Sequence, residues 1–306
     1  MRPSVSIRRN LTWLFTILGF SVSLNGWSQQ DTGQTPDIYD RIWGAAILYQ
    51  NAENPTIQSF SLIGRYHGQY WSVHADQGSE GDWENRRRIV GFSSKWFQDV
   101  TLQAQMYLKT GGGSLYDGLY EAYVKWSPAD TGFTLSIGRL DYLVTGYERS
   151  KSSKKISTIE RGLLVNQLMP AEVIGAHLTG EAGRFSYHAG LFSRGIEEEF
   201  DDFDTGSAAV VGASIDTPLF LKTGSLHLDY LHNSRDSEGN AFRPYRHIVS
   251  LWHSGESGRL GMAIDLTFAQ SLETDGRVFG LTVEPTWKLL DSVSGNNDPL
   301  QFVMRY

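Results

Sequence analysis

The 306-residue chain has no cysteine and only 9 prolines. Without thiols there is no disulfide framework and no thiolate metal site, so stability must come from packing and backbone pairing. Long apolar runs are scarce too. The one extended stretch, Leu11 to Leu24, is interrupted by Thr12, Thr16, Gly19, Ser21 and Ser23. That excludes a bundle of membrane helices, each of which needs roughly 20 mostly apolar residues. Positive charge is in deficit at a formal −7, which argues against a general nucleic-acid binder, because neutralising phosphates takes a basic face. Signatures of chemistry are missing as well: there is no Gly-x-Ser-x-Gly elbow, no phosphate loop ending Gly-Lys-Ser/Thr and no His-Glu-x-x-His pair. The eight histidines are scattered without ligand spacing. His74 with Asp76, and His227 with Asp229, stand two apart on a strand face and could orient a base, but they serve equally as water contacts. The expectation is a non-enzyme with no cofactor, no metal and no catalytic residue.

What is present is glycine (32) and aromatic side chains (9 Trp, 14 Tyr, 15 Phe) on a background only 40% hydrophobic. At the N-terminus Arg2, Arg8 and Arg9 precede the apolar run, and Gly26-Trp27-Ser28 follows it. This is the layout of a secretory signal peptide over residues 1–28, cleaved before Gln29. A flexible mature N-terminus, 29–37, would then lead into one domain, 38–306.

From Asp37 onward the dominant pattern is apolar/polar alternation, broken by Gly, Asp, Asn, Ser or Pro, which is the signal of half-buried strands. Val100, Leu102, Ala104, Met106 and Leu108 form one face against Thr101, Gln103, Gln105, Tyr107 and Lys109. Tyr120, Ala122, Val124 and Trp126 oppose Glu121, Tyr123 and Lys125. Leu260, Met262, Ile264, Leu266 and Phe268 oppose Gly261, Asp265 and Thr267, and Phe279, Leu281, Val283 and Trp287 oppose Thr282, Glu284 and Lys288. Several alternations run for 9 to 11 residues, the length that crosses a bilayer at the usual tilt of roughly 45°. Aromatic residues such as Trp96-Phe97, Trp126, Phe133, Trp252 and Trp287 sit near strand ends, where interfacial girdles lie. The fold expected is all-β: a transmembrane, antiparallel up-and-down β-barrel in the bacterial outer membrane, its apolar positions against lipid. The alternatives are a β-barrel outer-membrane enzyme and a secreted β-rich binding protein.

The longest interruption runs from Asp141 to Glu172, and a connection of that length in a barrel is expected to fold inward and narrow the lumen. Arg149, Lys151, Lys154 and Lys155 carry four positive charges with no acid among them, and Arg161 follows. These five are the candidate constriction residues, placed to attract small anions. Alternation assigns Arg65, Lys95, Glu121, Lys125, Arg184, Arg259 and Asp265 to the lumen. It also aims Arg87 inward, although a run such as Arg86-Arg87-Arg88 is equally what an exposed rim carries. The acidic run from Glu197 to Asp204 reads as a solvated loop.

The order of motifs carries a resemblance. Leu119-Tyr120-Glu121-Ala122-Tyr123-Val124, Ile137-Gly138-Arg139, Ser157-Thr158-Ile159-Glu160-Arg161, Gly175-Ala176-His177-Leu178 and Tyr187-His188-Ala189-Gly190-Leu191-Phe192 succeed one another. Together they resemble the phosphate-selective porin O and P family, most specifically over 118–193. The resemblance implies 16 strands, a homotrimer and a lumen passing phosphate or related anions. Three departures stand out: Glu121 replaces the family's usual Asp, Asp141-Tyr142-Leu143 stands where the family usually carries Pro-Phe, and the charges assigned to the lumen mix both signs instead of forming a positive ladder. Leu300, Phe302, Met304 and Tyr306 alternate up to a terminal aromatic. Single-chain bacterial barrels have an even strand number, so a chain ending there has 14 or 16, or stops short of the full barrel.

Overall fold

The computed structural model of the protein describes residues 18–24, 44–75, 78–109, 113–141, 145–152, 155–158, 161–168, 171–193, 199–200, 206–235, 241, 243–290 and 300–306. Nearly all of them are strand: β1 (Leu18–Leu24), β2 (Ile47–Gln50), β3 (Ile57–Ala75), β4 (Gly78–Trp96), β5 (Val100–Leu108), β6 (Tyr116–Trp126), β7 (Phe133–Asp141), β8 (Glu172–Ala182), β9 (Phe185–Ser193), β10 (Ser207–Asp216), β11 (Thr223–Asn233), β12 (Tyr245–Ser257), β13 (Leu260–Ser271), β14 (Arg277–Leu290) and β15 (Leu300–Val303). One short helix, α1 (Leu163–Leu168), lies between β7 and β8.

From β3 to β15 each strand pairs antiparallel with the next, an up-and-down order in one sheet. Two strands share the other edge of β3: β2 lies opposite Ser59 to Ser61, and β1 opposite Gly64 to Tyr70. Among the described residues the 15 strands therefore occupy 14 positions along the ladder. This is the smaller of the two even numbers expected, not the 16 implied by the resemblance. β1 falls inside the segment expected to be the export signal, so cleavage before Gln29 would uncover the edge of β3 from Gly64 to Tyr70. The expected mature N-terminus, 29–37, lies outside the described residues.

The two rims of the sheet differ. At one, strands are joined tightly, as at Ala182–Phe185 and Ser257–Leu260, where Gly183 and Gly258 take left-handed φ values of 64° and 60°. At the other lie the long connections 142–171, 194–206 and 234–244. Exposed aromatics collect on the short-turn rim: Phe97, Trp126, Phe185, Phe220 and Trp287, with Trp126 packed edge-on against Phe133 at 5.6 Å. Trp252 departs from the girdle expected of it. It is buried on the concave face, where it donates a 2.8 Å hydrogen bond to Asp229 and stacks on the His227 ring at 3.5 Å.

Burial is inverted relative to a water-soluble protein. On β13, Leu266 and Phe268 are 39% and 38% exposed, while Asp265 and Thr267 between and beside them are 3% and 2%. The same holds around the sheet. Leu191, Val211, Leu228, Phe279 and Leu281 are exposed on the convex side, and Asp229, Ser250 and Glu284 are buried on the concave side. A two-layer sandwich would bury the first group and expose the second. Strands that are not ladder neighbours meet across the concave side. Arg65 of β3 lies 5.4 Å from the ring centre of Tyr120 on β6, and Tyr107 of β5 donates to Glu172 at the start of β8 at 3.1 Å. The sheet is thus curled into a barrel around its polar face.

Of the register shifts along the sheet, two bear on the lumen. Gln105 pairs with Glu121 and Met106 with Leu119, which leaves Tyr120 as an extra residue. Tyr120 was expected on the outward apolar face. The inserted residue instead turns it inward beside Glu121, where it donates to Asp141 at 2.8 Å. On β4 the register slips between His67 and Gly68, which makes Arg86 the extra residue of a bulge between Asn85 and Arg87.

Candidate functional site: an inward loop across the lumen

The connection between β7 and β8 folds into the barrel, as its length predicts. Residues 146–150 form one helical turn, closed by a 2.9 Å bond from the Ser150 amide to the Gly146 carbonyl. The amides that open a helical turn have no partner within it. Here wall carboxylates accept them: Gly146 N–H donates to Asp229 on β11 at 3.1 Å, and Tyr147 N–H donates to Asp265 on β13 at 2.8 Å. The Tyr147 hydroxyl reaches Glu284 on β14 at 3.4 Å, and its ring meets Trp252 edge-on at 5.8 Å. Hydrogen bonds to charged acceptors are worth roughly 1.5–3 kcal/mol each, so the acidic wall is a strong dock for this turn. Farther along, α1 inserts Val165 and Leu168 among the inward-facing Phe192, Val210, Leu231 and Ile248. The concave face is therefore not uniformly polar; it carries an apolar seat for the loop.

Glu148 locks the arrangement. It is buried, accepts the Gly162 amide at 2.6 Å and pairs with Arg305, which also bridges to Glu284 at 3.0 Å and bonds Thr158. Burial pushes the Glu148 carboxyl above its ordinary range against the opposing pull of Arg305. Burial likewise pushes the Tyr147 hydroxyl up.

The five expected constriction residues fare differently. Arg149 is buried and ion-paired with Asp141 at 2.6 Å, so its charge is compensated on the spot. Lys151 lies over the Tyr147 ring, with Nζ 3.9 Å from the centroid and 2.5 Å from the hydroxyl, and burial lowers its pKa. Arg161 donates to the Glu148 and Lys151 carbonyls at 3.1 and 2.6 Å; burial first and Arg149 second lower its pKa to about 10. Lys155 is exposed, and Lys154 lies outside the described residues. The loop's basic run is thus partly spent on holding the loop together, which its sequence, read apart from the wall, does not show.

Of the residues assigned to the lumen wall, Arg65, Lys95, Glu121, Lys125 and Asp265 face inward. Glu121 accepts from Gln103 and Gln105 at 2.9 and 2.5 Å, and Lys95 and Lys125 flank Thr101 near the short-turn rim. Arg184 and Arg259 do not belong to that set. Both sit in rim turns, between β8 and β9 and between β12 and β13, where Arg184 bonds the Asp216 carbonyl and the Arg259 carbonyl accepts from the Lys288 amide. In a two-residue turn the strand period no longer applies, which is why alternation misassigned them. The bulge on β4 adds Arg86 beside Arg87, whose guanidinium stands 3.4 Å from His67. One wall, β3 and β4, therefore presents Arg65, Arg86 and Arg87. The other, β11 to β14, presents Asp229, Asp265 and Glu284.

A recess of about 300 Å³ opens on the concave side near the short-turn rim, lined by Thr134, Thr179, Ser186, His188, Ser214 and His227 among others. His227 accepts or donates a 2.7 Å bond with Ser225, whereas Asp229 is taken by His188, Trp252 and Gly146. The His227–Asp229 pairing considered from sequence is thus not formed.

No protein-family model matches the chain, and no curated protein matches it. Among solved structures it is similar to a mutant of the Rh. blastica porin, at 10% sequence identity over 91% of each chain, with a TM-score of 0.39.

Proposed function

We propose that the chain is a porin of the bacterial outer membrane through which small hydrophilic solutes diffuse without chemistry. The observation that carries this reading is the inverted burial: leucine, valine and phenylalanine exposed on the convex face, and carboxylates, hydroxyls and guanidinium groups on the concave one. A closed sheet satisfies its backbone internally, so an apolar exterior can meet lipid tails while the interior holds water. The exposed aromatic rim suits the headgroup level.

Selectivity follows from how the charges are divided. Arginines lie on β3 and β4 and acids on β11 to β14, which makes the field in the lumen uneven, and Arg149 is neutralised by Asp141. Compensation of this kind favours a modest anion preference over a phosphate-specific filter, which would need a run of uncompensated cations. Planar-bilayer recording of the purified protein under a salt gradient tests both parts. Stepwise ohmic conductance with a small anion-selective reversal potential is expected; absence of steps from folded protein removes the porin reading. A strong phosphate-dependent block of chloride current would restore phosphate specificity.

A further inference from the structure

His177 on β8 and His188 on β9 are diagonal neighbours on the concave face: the ladder pairs His177 with Gly190 and His188 with Thr179. Their rings lie 5.7 Å apart at 71°. Each has a buried ring nitrogen with no hydrogen-bond partner, Nε2 of His177 and Nδ1 of His188. Buried polar atoms in proteins are nearly always satisfied, so two such orphans on adjacent rings ask for a shared partner.

The second nitrogen of His188 is not left to chance. His188 Nε2 bonds Asp229 Oδ1 at 2.9 Å, reaching across the intervening strand β10. That reach exists because β10 carries Gly212 at the crossing point; a Cβ there would overlap both His188 Nε2 and Asp229 Oδ1. Asp229 is itself held by Trp252 Nε1 at 2.8 Å. With Nε2–H given to the carboxylate, His188 Nδ1 carries the lone pair. This carboxylate–imidazole arrangement is the one that orients and strengthens histidine ligands of metals.

We infer that His177 and His188 form a lumenal site for a borderline transition-metal dication such as Cu²⁺ or Zn²⁺, oriented by Asp229 through the opening at Gly212. An ion about 2.0–2.1 Å from one nitrogen of each ring holds the ring centres roughly 5–6.5 Å apart, a range that includes the observed spacing. Among the described residues no three His, Asp or Glu side chains gather as a metal cluster. The remaining coordination positions belong to water, so binding is weak and exchange fast, which suits an ion in transit. Acid releases the ion, because only neutral imidazole ligates. Since Asp229 also accepts the Gly146 amide, the site is bonded to the inward loop.

The inference relies on the porin reading only for access from the lumen, and its test is a binding measurement that needs no conductance. Purified full-length protein in detergent micelles is titrated with Cu²⁺, the strongest binder of the divalent series, and followed by calorimetry and by electron paramagnetic resonance. One equivalent with coordination by two imidazole nitrogens is expected. His177→Ala and His188→Ala each weaken binding at least tenfold, and Gly212→Ala weakens it by about 10–100-fold, as loss of an orienting partner does. Retained heat-modifiable mobility on gels shows that a variant is folded. A second close pair, His232 and His247, has Nδ1 atoms 3.5 Å apart; His232→Ala should leave the two-imidazole equivalent unchanged. If His232→Ala abolishes it, or if folded His177→Ala and His188→Ala bind like the parent, the inference is overturned.

Discussion

The two walls of the lumen differ in what their charges do. On β3 and β4, Arg65, Arg86 and Arg87 stand beside aromatic and imidazole neighbours, with Tyr120 under Arg65 and His67 beside Arg87. On β11 to β14, Asp229, Asp265 and Glu284 are each engaged by the loop, through two amides and a tyrosine hydroxyl. On the proposed reading the first wall biases which ions enter, whereas the second holds the loop in place. Carboxylates suit that second task because a strand can present them at fixed height to the open end of a helical turn, where unpaired amides favour negative charge.

Breaking the acidic wall should have the largest effect. Replacing Asp229 and Asp265 together by Ala removes both charge-assisted bonds to the loop, about 3–6 kcal/mol in total. The loop then leaves its seat, which raises single-channel conductance and opens the Tyr147–Lys151 segment to protease. Leu266→Arg, on the outer face of that wall, should cost roughly 2–4 kcal/mol of stability in lipid, as for other lipid-facing positions near the midplane, and is read from urea unfolding in vesicles. Were the same face in water, the substitution would be nearly neutral. On the basic wall, Arg86→Gln with Arg87→Gln should leave conductance close to the parent and move the reversal potential toward cations.

The smallest effect is a titration. The Glu148 carboxyl is raised above its ordinary 4.5 by burial, so on acidification it takes a proton before exposed carboxylates do. Arg305 then loses part of its compensation and the constriction gains one positive charge. Anion preference should therefore rise as pH falls from neutrality toward 4.5, and Glu148→Gln should already show it at neutral pH, with that step gone from its profile.

Much of this architecture was legible as alternation. The outward sets on β5, β13 and β14 stand where period two puts them, because a one-residue slip would turn every side chain to the wrong face. The length of the 141–172 connection likewise announced the inward loop. Tyr120 and Arg86 were not legible, since a bulge adds one residue without any compositional mark. Arg184 and Arg259 were misplaced because turns end the strand period. The docking role of Asp229 and Asp265 depends on a loop more than 80 residues away in sequence, and no local pattern encodes such a contact.

The central claim is that the exposed apolar face meets lipid and the buried polar face meets water. Because the chain has no cysteine, single cysteines can report each face without background. Val124→Cys and Lys125→Cys place a fluorophore on neighbouring residues of β6 that point to opposite sides. Reconstituted in vesicles, the Val124 label should be quenched by nitroxides on lipid tails and shielded from iodide, and the Lys125 label should show the reverse. Iodide quenching of both labels alike, with no effect of the lipid nitroxides, would contradict the account.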